Sequence, residues 1–287
     1  MSLGGHFLAV DWGTTNRRTF VIADGVATQS ERDDRGVTAI RQGGFEGEVA
    51  GLRERFGDLP MLLAGMIGSN VGWRVAPYVT APAGIGDLAA NLLRIDERTC
   101  IVPGIATASD VMRGEEVQLL GAVSAGLAPG DALLCQPGTH CKWVEMVAGR
   151  VAGFTTAMTG ELFALLRSHG LLAAQLRSEV ALGDAFREGL AEGAKRDLAA
   201  SLFGIRAARL LGRREDVNAA SFASGLLIGA DVAARLEHVG HDIVHILSDP
   251  GLGGLYAAAI EGQGRQAVLV DSHAAFVAGI IEIGAAA

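Results

Sequence analysis

Asp11-Trp12-Gly13-Thr14-Thr15-Asn16 places a carboxylate just after an apolar run, Phe7–Val10, and follows it with a glycine and two hydroxyls. Phosphate handling is the chemistry open to such a string. Gly13 has no Cβ, so backbone N–H groups can approach an anion closely, and the hydroxyls of Thr14 and Thr15 can donate to it. Asp11 offers the hard oxygen that Mg²⁺ prefers, directly or through water. An ordinary hairpin with an Asx or Ser/Thr turn uses the same residue types, so the string alone leaves both readings open.

A second string has the same character. Gln136-Pro137-Gly138-Thr139-His140-Cys141-Lys142-Trp143 also lies between two strand-like runs. Gly138, Thr139 and Lys142 supply a glycine, a hydroxyl and a cation, and would complete a two-jawed grip on phosphate. Neither string is a P-loop, which needs Gly-Lys-Ser/Thr closing a Gly-rich loop before a helix. Gly251-Leu252-Gly253-Gly254 lacks the dinucleotide-fold spacing.

Three more places carry polar chemistry. Arg113-Gly114-Glu115-Glu116 sets a guanidinium beside two acids. Arg113 can grip a carboxylate at two points, although a helix dipole alone would also favour both acids in a first turn. In Gly65–Trp73, Ser69 and Asn70 can hydrogen-bond ligand hydroxyls, and Trp73 can pack on an apolar surface. Thr159-Gly160-Glu161 reads as a helix start, which capping explains as well as a role near a transferred phosphate. His238, His241 and His245 span a helix end, a glycine and a strand, so no zinc site is expected. His140 and Cys141 are neighbours on a strand and face opposite ways, which disfavours a Cys–His pair.

These strings need elements to hold them. Phe7–Val10 and Thr19–Ile22 read as strands, and Asp24-Gly25 is a hairpin signal leading to a third strand from Val26. Met61–Ala64 and Cys100–Val102 are further short strands. Helices are expected at Glu46–Phe56, Ile85–Leu93 and Glu115–Ala125. Pro129-Gly130-Asp131 is a turn and the expected domain boundary, giving domains 1–128 and 129–287. The order of strand, turn, strand, turn, strand then restarts with Ala132–Cys135, Lys142–Val147 and Val151–Phe154. Helices fill the chain from Glu161 to about Leu236. Within them, Ala219–Ala230 reads as a core helix interrupted at Asp231 and too short for a bilayer. Ile243–Leu247 and Ala267–Val270 are the last strands, with helices at Leu252–Ile260 and Ala274–Ile280. With no low-complexity linker, two juxtaposed domains with a cleft are expected.

Composition narrows the function. Lys plus Arg number 24 and Asp plus Glu 32, a net charge of −8, and no basic stripe marks a nucleic-acid binder. Arg206, Arg209, Arg213 and Arg214 read as a solvated helix face. Gly accounts for 40 of 287 residues, roughly twice the usual share, and the glycines are expected at turns. Three widely spaced cysteines form no disulfide framework and fit a reducing, cytoplasmic compartment. Residues 1–5 lack the basic-then-apolar order of a signal peptide. The expected partner is a small molecule, with no nucleic acid and no membrane, and a homo-oligomer is left open.

Asp11–Arg18 resembles the first phosphate motif of the sugar-kinase, Hsp70 and actin superfamily. Longer strings, in order, resemble 2-dehydro-3-deoxygalactonokinases: Gly65–Trp73, Val111–Glu116, Pro137–Trp143, Met158–Leu162 and Ser224–Ala230. The resemblance spans about residues 7 to 280. It implies a two-domain actin-like (ribonuclease H-like) α/β fold, with ATP and Mg²⁺ as cofactors. The implied reaction is phosphorylation of 2-dehydro-3-deoxy-D-galactonate at its 6-hydroxyl. It gives Asp11 a metal role, assigns Gly13, Thr14, Thr15, Gly138, Thr139 and Lys142 to the nucleotide, and makes Gly253-Gly254 an adenosine loop. In related carbohydrate kinases an acid after a glycine at a helix start takes the hydroxyl proton. Glu115 fills that place, with Glu116 second, where the family more often has Asp. Ser69, Asn70, Trp73, Arg113 and Glu161 are the implied acceptor contacts. Two departures stand out: Gln136 occupies a position where the superfamily often has Asp, and Ser248-Asp249-Pro250 is unusual before an adenosine loop. A kinase of this fold for another sugar or sugar acid, and a non-catalytic nucleotide-dependent module, are the alternatives.

Overall fold

A computed structural model describes residues 5–237 and 239–287. The reading of residues 1–5 falls, apart from Gly5, outside the described residues, and so does the position of His238.

The chain begins with β1 (His6–Trp12), β2 (Arg17–Ala23) and β3 (Val26–Asp33), followed by α1 (Phe45–Phe56) and β4 (Met61–Gly65). Next come β5 (Tyr78–Thr80), α2 (Ile85–Ala90), β6 (Leu93–Arg94), β7 (Thr99–Ile101), β8 (Gly104–Ala106), β9 (Val111–Met112) and α3 (Glu115–Ser124). A six-stranded sheet has the order β3-β2-β1-β4-β7-β6, and β5, β8 and β9 form a small separate sheet. The antiparallel β1–β2 register sets Asp11 opposite Arg18, and the parallel β1–β4 register sets Asp11 beside Ala64 and Trp12 beside Gly65. Leu8, Val10 and Trp12 point into a core with Val49, Leu52 and Leu63. From Phe7 to Trp12 the strand is apolar and buried except at Asp11, which is half-buried.

The second half repeats this plan with β10 (Ala132–Gln136), β11 (Cys141–Val147) and β12 (Arg150–Ala157). Helices α4 (Thr159–Ser168), α5 (Asp184–Gly193), α6 (Leu198–Leu210) and α7 (Asp216–Leu236) follow, then β13 (Ile243–Leu247), α8 (Pro250–Gly262), β14 (Gln266–Val270) and α9 (Ser272–Ala286). Its sheet order is β12-β11-β10-β13-β14, with β10, β13 and β14 parallel. The chain forms two compact units. One takes the described residues through Asp131 together with Glu145–Phe154 and Asp271–Ala287; the other takes Ala132–Val144 and Thr155–Val270.

Two expectations change. Asp231 does not interrupt its helix: α7 runs from Asp216 to Leu236, 21 residues, long and apolar enough to cross a membrane by length and composition. Most of it is buried inside the protein as a core helix. Nor are the glycines confined to turns. A Cβ on Gly225 would lie 2.1 Å from the Phe186 carbonyl oxygen, and one on Gly193 2.1 Å from that of Leu226. α5 and α7 therefore meet backbone to backbone. α3 and α9 do the same, since a Cβ on Gly121 would fall 1.9 Å from the carbonyl oxygen of Ala275. Much of the glycine excess is a helix-packing device.

Candidate active site

In the first unit three backbones converge. Gly65 ends β4 at φ +94, and a Cβ there would sit 2.8 Å from the carbonyl oxygen of Trp12. Gly114 precedes α3 at φ +105, where a Cβ would lie 3.1 Å from Cα of Gly65. Both positions need a residue without a side chain, for backbone conformation and for space. The convergence makes the end of β1, with Asp11, a neighbour of the start of α3, with Glu115. Strand ends of this kind in α/β sheets are where ligands gather.

Asp11 is half-buried. Burial pushes its carboxyl up to about 6; Arg18 pulls it down, and Glu115 pushes it up further. The turn after it is braced from one side. Gly13 N–H donates to the Asn16 carbonyl at 2.9 Å, Val37 N–H to the Gly13 carbonyl at 3.0 Å, and the Thr38 hydroxyl to the Thr14 carbonyl at 2.8 Å. Thr14 and Thr15 remain exposed.

At α3 the two acids part company. Glu115 lies at the helix start, and one of its oxygens accepts the Arg113 N–H at 3.0 Å. Glu116 is fully buried, and its Oε2 accepts the Gly114 N–H at 2.7 Å. Burial, and after it the charge of Glu115, pushes the Glu116 carboxyl up to about 8. Glu116, expected as the second proton acceptor, thus faces inward in the structure, with no exposed surface.

Arg113 is 9% exposed. Its Nη2 donates to the Ala76 carbonyl at 2.8 Å, and its guanidinium lies 4.4 Å from the Tyr78 ring centroid. Nε and Nη1 are buried without a partner. Gly68 keeps this space open, since a Cβ there would fall 2.9 Å from Nη1. The rest of the Gly65–Trp73 string is divided. Ser69 is buried and bonds its own turn, donating to the Met66 carbonyl at 2.7 Å. Asn70 is exposed. Trp73 packs on the first unit's core and lines a different cavity of about 610 Å³, with Arg53, Arg74, Leu93 and Ile95.

In the second unit the turn between β10 and β11 is clamped by α4. A Cβ on Gly160 would lie 2.3 Å from the Gly138 carbonyl oxygen, and Glu161 N–H donates to the Thr139 carbonyl at 2.9 Å. Glu161 also pairs with His140, Nε2 to Oε2, at 2.6 Å. The pairing ties the start of α4 to the hairpin. Lys142 is buried, 4% exposed. A cavity of about 300 Å³ opens beside the turn, lined by Gly138, Thr139, Thr159, Phe163, Leu252 and Tyr256.

Gly253 and Gly254 are not a loop. Asp249 caps α8, accepting from Gly251 N–H at 2.9 Å and Leu252 N–H at 3.1 Å, with Pro250 at the first helical position. Such a cap and proline start a helix directly after the strand. Gly253 packs on β14, where a Cβ would meet Leu269 at 2.7 Å, and Leu252 is the residue that reaches the cavity. Sequence reasoning also missed Gly68 and Tyr78 around Arg113, and Asp231. For Asp231 a signal was present: an acid inside an apolar helix stays buried only when it is partnered. Among the described residues no group of three or more His, Cys, Asp or Glu side chains forms a metal cage.

The family model described as 2-keto-3-deoxy-galactonokinase matches residues 11–283. The chain is 36% identical over 286 residues to the 2-dehydro-3-deoxygalactonokinase of Escherichia coli (strain K12), covering 97% of each. A crystal structure of a Sinorhizobium meliloti protein described under the same kinase name superposes with a TM-score of 0.90 at 35% identity, covering 96% of both chains. At the level of fold alone, the component A protein of Acidaminococcus fermentans (R)-2-hydroxyglutaryl-CoA dehydratase superposes with a TM-score of 0.51 at 12% identity over 97% of both chains. The fold is α/β and actin-like. On the match over nearly its whole length, this chain belongs to the 2-keto-3-deoxy-galactonokinase family.

Proposed function

We propose that this protein transfers the γ-phosphoryl group of ATP to the 6-hydroxyl of 2-dehydro-3-deoxy-D-galactonate, giving the 6-phosphate and ADP. The observation that carries the reading is Arg113. A guanidinium this buried, with Nε and Nη1 lacking partners, calls for an anion, because an unpaired buried donor costs about 1–3 kcal/mol, more when charged. A sugar-acid carboxylate can take one of these donors together with the second N–H of Nη2 in a two-point contact.

Glu115 orients the 6-hydroxyl and takes its proton as the oxygen–phosphorus bond forms and the bond to the ADP oxygen breaks. A largely dissociative transition state asks for positioning more than for a strong base. The first unit holds the acceptor. In the second, the Gly138–Thr139 turn receives phosphate, and the neighbouring cavity takes the nucleoside.

Mg²⁺ fits the residues present. Asp11 and Glu115 are close enough to raise the Asp11 carboxyl, and a cation relieves that repulsion. Mg²⁺ needs only one or two carboxylates when substrate phosphates supply further oxygens. Asp11 would hold it, and bound there it would neutralise charge on the phosphates. The three cysteines are free and buried, which suits a cytoplasmic setting.

The test is ADP release from purified protein with ATP and Mg²⁺ across a panel of sugars and sugar acids. Turnover should require a 2-keto-3-deoxy sugar acid. Folded protein without acceptor-dependent ADP release overturns the reading.

A further inference from the structure

Asp231 sits in the last third of α7, 9% exposed, on a helix whose neighbouring positions are Ala230, Val232 and Ala233. An acid in such a place is retained only if donors converge on it, and they do. Trp143 Nε1 donates to Oδ1 at 3.2 Å, the Thr159 hydroxyl to Oδ2 at 2.9 Å and the Tyr256 hydroxyl to Oδ2 at 3.4 Å. The Cys141 thiol lies close enough to pull the Asp231 carboxyl down, against the larger upward push of burial.

The origins of these donors matter more than their number. Cys141 and Trp143 lie on β11, the strand that leaves the Gly138–Thr139 turn. Thr159 opens α4, whose next residues press on that turn: Gly160 against the Gly138 carbonyl, and Glu161 N–H on the Thr139 carbonyl at 2.9 Å. Tyr256 lies on α8 and lines the cavity beside the turn. One carboxylate thus ties together the exit of the turn, the helix that clamps it and a wall of the adjoining cavity.

We infer that Asp231 is a positioning residue for the ATP site: it sets the shape of the Gly138–Thr139 turn through Trp143 and Thr159 without touching the nucleotide. The inference rests on the kinase reading above. Sequence position alone makes Asp231 a helix break far from any phosphate motif. The geometry gives it a specific chemical requirement, an acceptor facing Trp143, because an indole N–H can only donate. Threonine and tyrosine hydroxyls can turn to accept instead. Asparagine therefore satisfies the node in one orientation, with its oxygen toward Trp143 and its amide toward Thr159 and Tyr256. Alanine satisfies none of it.

The test measures binding of Mg²⁺–ATP by titration calorimetry and steady-state KM for ATP and for the acceptor, in the full chain. Asp231→Ala should weaken ATP binding and raise its KM about tenfold or more, the scale of one lost buried interaction. Acceptor KM should move less than about twofold. Asp231→Asn should recover most of the ATP affinity. Thr159→Val, which keeps shape and removes one hydroxyl, carries the test if Asp231→Ala fails to fold, and should raise ATP KM about threefold or more. Amide exchange across residues 137–140 should quicken in Asp231→Ala and Thr159→Val while β13 stays protected. Folded variants with unchanged ATP KM and unchanged exchange in the turn overturn the inference, and so does an equal rise in both KM values. Wild-type protein that binds no ATP overturns the kinase reading and the inference together.

Discussion

Glu116 Oε2 accepts the backbone N–H of Gly114 at 2.7 Å, so the second of two adjacent acids closes back on the residue that precedes its own helix. Its neighbour Glu115 stays half-buried at the helix start, accepting the Arg113 N–H and close enough to Asp11 to raise that carboxyl. Glu115→Gln should lower kcat by roughly 10²–10⁴, the range for a positioned acid or base, with acceptor binding nearly unchanged. Glu116→Gln should keep most of kcat, because a neutral amide replaces a carboxyl that burial already holds neutral at pH 7. Steady-state kinetics with acceptor titration separates the two, and equal kcat losses would contradict the assignment.

Glu116 also predicts a stability profile. Its folded pKa of about 8 lies above the ordinary 4.5. The neutral form therefore contributes stability that is complete below about 4.5 and is lost as pH rises through 8. Wild-type Tm should fall between about pH 5 and 8, and Glu116→Gln should flatten that fall. Parallel curves for the two proteins would assign the loss to other groups.

For Asp11, the ionised form is the one that holds a cation. With its carboxyl raised to about 6, kcat at limiting Mg²⁺ should drop as pH falls through 6, and saturating Mg²⁺ should move that midpoint lower. Asp11→Asn should cut kcat by about 10²–10³, the size of a lost electrostatic contact in a transition state. The same substitution should raise thermal stability at pH 7.5, since an ionised half-buried acid is removed. Near-normal kcat in Asp11→Asn would take Asp11 out of the metal role.

Arg113→Ala should raise acceptor KM more than it lowers kcat, and should erode discrimination between the sugar acid and its neutral analogue. Gly68→Ala is a gentler probe. Its Cβ would press within 2.9 Å of both Arg113 Nη1 and Ile101 Cγ2, so acceptor KM should rise while ATP KM holds. Unchanged acceptor KM in both variants would move the carboxylate site elsewhere.

Trp73 tests the other half of the glycine-rich string. It packs with Val49 and Ile67 in the first unit's core. Trp73→Ala should cost about 2–4 kcal/mol of stability and leave acceptor KM within about twofold. A large rise in acceptor KM, at unchanged Tm, would restore it to the substrate site.

Much of the fold is legible in the sequence because local rules write it. Short apolar and β-branched runs give β1, β2, β10 and β13; Asp24-Gly25 gives the hairpin; and a glycine before two acids gives the start of α3. The same rules supply the two Gly-Thr turns and single out Asp11 and Arg113 as polar candidates. What neighbours in sequence could not decide is which way a side chain faces once distant segments meet. Glu115 and Glu116 look equivalent in the string, yet adjacent helix positions point about 100° apart, and only the crossing of Gly65 by Gly114 makes one of them outward and the other core. Gly253-Gly254 reads as a loop until Asp249 is seen capping the helix. Asp231 reads as a helix break until Trp143, Thr159 and Tyr256 arrive from three other elements. Backbone conformation answers to the residues on either side, whereas burial and hydrogen-bond partnership answer to whatever the fold brings into contact.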